Sequence, residues 1–305
     1  TALAVIAGCA FLSGVLVFSD TIRGSFDRLF ANAYENTDAF VRSSNVIEGD
    51  FGAESRDRLP DTVIDEILAV PGVETAEGDI QGFARMSTVD GDDIGVTGPP
   101  TFGGVFSVSD ASPWDLVDGA GPSGPDEAAI DRGSAKQADL DVGDQIDVTT
   151  EQGTRRVTVT GIVTFAGSDT SGGATWALFE LSTAQEFVIG QPGNVDSVIV
   201  RSDGSVDDDA LRDQLQAVFA DRDIEVLTGQ EITEENQSAV EDGLSFFTTF
   251  LTIFALIALF VSCFIIYNVF SISAAQRQRE NALLRAIGAS RSQVTRTLFL
   301  EAIIV

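Results

Sequence analysis

GLSFFTTFLTIFALIALFVSCFIIYNVFSISAAQ, residues 243–276, runs without one charged side chain. A helix of about 20 apolar residues already crosses the roughly 30 Å hydrocarbon core of a bilayer, so this stretch spans it and projects beyond it. A second uncharged run occupies residues 2–19. The chain of 305 residues is 44% hydrophobic yet carries a formal charge of -29, with 47 acidic and 18 basic residues, and the two properties are segregated along it. Only Glu280 and Glu301 among the acids lie beyond the second run, whereas Arg277, Arg279, Arg285, Arg291 and Arg296 all do. Basic residues beside a span mark its cytoplasmic end, which puts the tail inside and the acidic bulk outside.

Working outward from the two runs, residues 1–19 read as a first transmembrane helix and 244–273 as a second. Ile6, Ala7, Gly8 and Cys9 resemble a lipoprotein cleavage site, but the sequence stays apolar through Phe18, which favours a continuous span. Residues 20–37 keep Ile22, Phe26, Leu29, Phe30 and Ala33 near helical spacing and read as a stalk; 231–243 read as the returning stalk. Because Thr1 opens directly into apolar sequence, either the chain is cut from a longer one or a signal peptide lacks its start.

Residues 38–230 are expected to form an α+β extracytoplasmic domain tethered by these transmembrane helices. A strand at 38–47, a helix at 61–70 burying Val63, Ile64, Ile67 and Leu68, and a strand over 73–86 make one unit. The same order returns as a strand at 195–200, a helix at 207–220 with Leu211, Leu215, Val218 and Phe219 on one face, and a strand at 224–227. Two strand-helix-strand units thus flank the middle, which suggests a pseudo-symmetric core. Between them the Gly/Pro-rich residues 98–125 read as loop. A small β-rich subdomain is expected over about 128–190, where Val157, Val159, Val163 and Phe165 alternate as on a half-buried strand.

Composition excludes several chemistries. The chain has no His, and its two cysteines, Cys9 and Cys263, fall in the apolar runs, so the domain holds no disulfide, no imidazole or thiolate metal site and no Ser-His-Asp or Cys-His set. A carboxylate pair acting as acid and base is the one catalytic alternative left open for an anchored extracytoplasmic enzyme. The acidity argues against nucleic acid as a partner. It reads as a solvated face suited to salt or solubility; calcium ligation by Asp90, Asp92 and Asp93, or by Asp207, Asp208 and Asp209, is the alternative, and neither run has the spacing of a dedicated calcium loop. The single lysine, Lys136, follows Ser134 and Ala135 without a glycine-rich loop, so no Walker phosphate site can form around it. Neither uncharged run offers an ion pathway.

Residues 277–288 carry the most information. Leu283, Leu284 and Ile287 meet at helical spacing beside Arg277, Glu280 and Arg285, and Gly288 supplies the residue that ends a helix. Ser290 with Gln293 forms a capping box that opens another apolar helix, residues 290–305, read as the start of a third span. On physical grounds a helix like 277–288 either rests on anionic lipid or docks a partner. The stretch from Arg279 and Glu280 through Leu283, Leu284, Arg285, Ala286, Ile287, Gly288, Ala289 and Ser290 resembles the signature that follows the second span in MacB, LolC/LolE and FtsX-type permeases of ABC transporters. Residues 128–144, with a turn at Val142, Gly143 and Asp144, resemble the segment before the β-subdomain of MacB-like periplasmic core domains, and 6–22 resemble their first span. Asn281 departs from the small or apolar residue common in relatives.

The resemblance implies a cytoplasmic coupling helix whose Leu283, Leu284 and Ile287 enter a groove on an ATPase subunit of the LolD/MacB type, with Arg277, Glu280, Arg285 and Gly288 completing the contact. It implies that ATP and Mg are bound by that partner and no cofactor by this chain, that the chain is not itself an enzyme, and that it pairs with a second permease copy or half. Two activities share these parts. One is efflux or extraction of a lipid, lipoprotein or peptide, driven by mechanical coupling; the other is FtsX-type activation of a cell-wall hydrolase.

Overall fold

The computed structural model describes residues 2–48, 54–95, 98–107, 109, 111–276, 282–283, 286–290 and 292–296. Helix α1 (Ala2–Ala33) is followed by β1 (Ala39–Ser43), β2 (Val46–Glu48), β3 (Glu54–Arg56), β4 (Leu59–Pro60), α2 (Thr62–Leu68), β5 (Val73–Asp79), β6 (Gln81–Thr88), β7 (Thr101–Val105), β8 (Trp114–Gly119) and β9 (Glu127–Asp131). Then come α3 (Arg132–Ala138), β10 (Gln145–Thr150), β11 (Gly153–Phe165), β12 (Thr175–Phe179), a short helix α4 (Leu181–Thr183) prolonged by a π-helical turn (Ala184–Val188), β13 (Asn194–Val195), β14 (Ser197–Ser202), α5 (Asp208–Val218), β15 (Ile224–Thr228) and α6 (Gly229–Gln276). The chain divides into two units, one of residues 26–237 and one of residues 1–25 with 238–305.

Within the larger unit, one sheet has the order β15-β1-β14-β5 with every pair antiparallel. Since β1 and β5 both run against β14, they are parallel to each other, and so are β14 and β15. The segments β1-α2-β5 and β14-α5-β15 are therefore split β-α-β units of a ferredoxin-like sheet. Each helix buries part of its apolar stripe: Val63 and Ile67 from α2, Leu211 and Leu215 from α5 are fully covered, whereas Leu68 and Val218, expected with them, are exposed. Asp207 caps α5, its Oδ1 accepting from the Ala210 N–H at 2.9 Å, which leaves that carboxylate committed to the helix.

The other sheet has the order β10-β6-β7-β12-β9-β11-β8, and β10 also pairs with β11. That extra pairing closes six strands into a barrel. The long β11 makes it possible: its first half zips to β10, with Ile146 opposite Val157, while its second half carries β8 on the same edge, with Val163 opposite Leu116. Ile146, Val148, Val157 and Val159 point inward and are buried, with Met86, Ile130, Ala177 and Phe179 from the other strands. Asp131, also buried, ties the end of β9 to its neighbours, accepting from Ser134 N–H and Oγ–H and from the Trp176 N–H at 2.6–2.8 Å. Burial pushes its carboxyl up, and these three donors counter that.

Three sequence expectations change here. Residues 73–86 are not one strand: β5 ends at Asp79, opposite Ser197 in the first sheet, and β6 starts at Gln81, opposite Gly104 in the second. The chain changes sheets at the buried Ile80, which an unbroken apolar alternation conceals. Residues 98–125 are not a plain loop, since they contain β7 and β8. Their glycines act as close-packing positions rather than as breakers: a Cβ on Gly103 would lie 2.8 Å from that of Ala84 and one on Gly82 of the facing strand 2.6 Å from Val188 Cγ1. For the same reason the barrel draws on strands from residue 81 onward, well before residue 128.

In the smaller unit the N-terminal part of α1 and most of α6 lie side by side, joined by Ser19 Oγ to Thr248 Oγ1 at 3.0 Å and by the Arg23–Glu241 ion pair at 2.9 Å. Phe250, Phe254, Ile257, Phe260 and Phe264 are all more than half exposed on α6. Such a surface calls for lipid rather than water. Among the described residues one helix is long and apolar enough to cross a membrane, over Gly229–Val269.

Candidate functional site

Of the residues singled out near the C-terminus, Arg277, Glu280, Leu284 and Arg285, together with Asn281, lie outside the described residues, as does most of the expected third span. Leu283 and Ile287 are described. They sit one turn apart, the Ile287 N–H donating to the Leu283 carbonyl at 3.1 Å, and their side chains are 67% and 82% exposed. Gly288 follows at φ +106°, a left-handed stop that a side chain would strain. Ser290 and Gln293 then bond reciprocally, the Gln293 N–H to Ser290 Oγ at 3.3 Å and the Ser290 N–H to Gln293 Oε1 at 2.9 Å. Leu283 and Ile287 thus form an exposed apolar pair at i and i+4, closed on its C-terminal side by Gly288.

A second feature, at the root of α6, was not picked out from the sequence. Strand β15 ends at Thr228 and α6 begins at Gly229, with no connecting loop. Thr228 and Glu231 form a capping box: the Glu231 N–H donates to Thr228 Oγ1 at 3.1 Å and the Thr228 N–H to Glu231 Oε2 at 2.8 Å. A Cβ at Gly229 would overlap the carbonyl oxygen of Thr37, so only glycine lets the two backbones meet there. Arg42 of β1, 8% exposed, fastens the joint, with Nη1 and Nη2 forking onto the two Glu235 oxygens at 2.8 and 2.6 Å and Nε donating to Glu225 of β15 at 2.6 Å. Burial works against its charge, but the bonds to Glu235 and Glu225 outweigh that and keep it protonated, while Arg42 in turn holds the Glu235 carboxyl below the usual range. The Thr-x-x-Glu spacing at 228–231 was the available sequence signal; the arginine fork joins residues too distant in sequence to leave one.

Elsewhere, part of each acidic run has a local partner. Asp209 faces Arg212 at 3.5 Å and Asp93 faces Arg85 at 3.7 Å. Among the described residues no group of three acids converges as a metal site would. Lys136 is paired with Asp169 at 2.7 Å.

A family model described as the MacB-like periplasmic core domain matches residues 1–218, and one described as the FtsX-like permease C-terminal matches residues 252–305. The chain belongs to the MacB/FtsX family of permeases. Among its relatives, an uncharacterized ABC transporter permease protein of Mycobacterium tuberculosis is 26% identical over 181 residues, 59% of this chain. The match takes in 20% of that protein, so this permease chain spans about a fifth of the length of the curated relative it matches. Among solved structures, the periplasmic region of MacB from Actinobacillus actinomycetemcomitans superposes with a TM-score of 0.48 at 13% identity, covering 67% of this chain and 94% of that one. A domain of a putative permease protein from Porphyromonas gingivalis gives 0.43 at 15% identity, over 64% and 89%. Membership in the family makes this chain part of a membrane permease with an extracytoplasmic domain.

Proposed function

We propose that this permease couples ATP hydrolysis by a separate LolD- or MacB-type subunit to movement of its extracytoplasmic domain, for efflux or extraction of a lipid, lipoprotein or peptide. ATP and Mg reside in the partner, and the chain crosses the cytoplasmic membrane more than once and works as a pair with a second copy or half. The observation that carries this reading is the rigid root of α6. The strand runs into the helix without a loop, is capped, and is clamped by Arg42, so a displacement of the helix is passed to the sheet instead of being absorbed by a hinge. The coupling helix of residues 277–288 is the end that the ATPase grips, with Leu283, Leu284 and Ile287 as its apolar contact and Arg277, Glu280 and Arg285 around them.

The test is co-purification with the LolD- or MacB-type ATPase proposed as its partner. The Leu283→Asp and Ile287→Asp variants are expected to lose at least tenfold in association, because each puts a charge where a desolvated knob is required. Undiminished association in both would remove the coupling-helix assignment.

A further inference from the structure

Inside the larger unit, a cavity of about 310 Å³ opens where the barrel faces the ferredoxin-like sheet. Its wall is aromatic. Trp114 and Trp176 meet at 5.2 Å between ring centroids, Phe102 stands 4.9 Å from Trp176 and Phe165 4.8 Å from Trp114, while Tyr34 and Phe40 form an edge-on pair on another side. Among these rings lie two carboxylates, Glu77 and Asp79. Glu77 accepts a hydrogen bond from Ser107 Oγ. Asp79 has no arginine or lysine within ion-pair distance among the described residues. The Trp176 Nε1–H is buried without a partner. Arg42, whose charge acts on Tyr34, is already paired with Glu225 and Glu235.

A purely apolar hole would serve as a packing defect, and a purely acidic one as solvated surface; the combination is neither. Aromatic faces present negative quadrupoles, and carboxylates at the same cavity add full negative charge, so the space is complementary to a cation that also has apolar surface to bury. Its size lies at the lower end of the roughly 300–1,000 Å³ typical of small-molecule sites. We infer that this cavity binds a small organic ammonium ion with an apolar body, its charge against Asp79 and Glu77 and its body between Trp114, Trp176 and Phe102.

Burial, followed by the neighbouring charge of Asp196, pushes the Asp79 carboxyl up to about 6, and burial and Asp79 together push the Tyr34 phenol up to about 12. A bound cation relieves both strains. The site is independent of the coupling helix, so it stands or falls separately from the function proposed above.

The chain's two tryptophans both line the cavity, so their fluorescence reads it directly. With the full chain in lipid nanodiscs at neutral pH, 2-phenylethylammonium is expected to give a saturable change, and 2-phenylethanol, of like size but uncharged, to bind at least tenfold more weakly. Asp79→Asn and Glu77→Gln should each erase that preference while leaving the weak response to the alcohol in place. Equal binding of amine and alcohol by the parent chain, no saturable response to the amine, or a preference untouched in both variants would overturn the assignment. The parent-chain comparison decides even if one variant folds poorly.

Discussion

Asp79 is a carboxylate whose environment departs far from water. By surface area it is half-buried, but what it meets is the cavity wall and the carboxylate of Asp196 rather than bulk solvent, and its backbone neighbour Ile80 supplies the one opposing hydrogen bond. The sign of the pH effect follows. The folded carboxyl titrates near 6 and an unfolded one near 4, so the folded state holds the proton more tightly, stability falls as pH rises between these values, and the deficit is complete above about pH 6. Replacing the group by its uncharged isostere removes the deficit. Asp79→Asn is therefore expected to be more stable than the parent chain at pH 8, by up to about 3 kcal/mol, and indistinguishable from it below pH 4. Thermal unfolding of both chains across that range checks this. A gap that stayed constant with pH would show that Asp79 is solvated after all.

At the scale of elements, the joint between β15 and α6 makes a contrast of two glycines in one helix. Gly229 meets the Thr37 carbonyl, whereas a Cβ on Gly243 would meet nothing within 4 Å. Gly243→Ala is expected to leave stability unchanged or raise it by up to about 1 kcal/mol through helix propensity. Gly229→Ala has to push the helix off the sheet and stretch the Arg42 fork, and should lower the unfolding temperature markedly and reduce transport while the ATPase still binds. Equal effects of the two substitutions would deny the joint its special geometry. The same helix shows what a sequence displays and what it hides. The uncharged run that became α6, the stripe of Leu211 and Leu215 in α5 and the alternation of Val157 and Val159 in β11 are periodic, local patterns and could be read directly. The change of sheet at Ile80 and the strands β7 and β8 could not, because Gly82, Gly103 and Gly104 owe their identity to backbones brought close only by the finished fold. The apolar pair of Leu283 and Ile287 ahead of Gly288 was legible, but the arginine fork and the aromatic cavity assemble from residues dozens to hundreds of positions apart.

For the whole molecule, the decisive property is the separation of charge. Almost every carboxylate lies between the two uncharged runs and the arginines of the tail lie beyond the second. If the membrane sorts the chain by its basic flanks, the ferredoxin-like sheet and barrel lie outside and residues 277–288 inside, where an ATPase can reach them. Single-cysteine labelling tests this in a background with Cys9 and Cys263 replaced by Ser, using Asp203→Cys in the extracytoplasmic domain and Ser290→Cys just after residues 277–288. A membrane-impermeant maleimide applied to intact cells, or to spheroplasts if an outer membrane stands in the way, should modify position 203 at once and position 290 only after the membrane is opened. Modification of both from the same side would leave the exposed pair of Leu283 and Ile287 facing the wrong compartment. The acidic domain and the motor's grip would then share one side, and a relay through α6 would have nothing to connect.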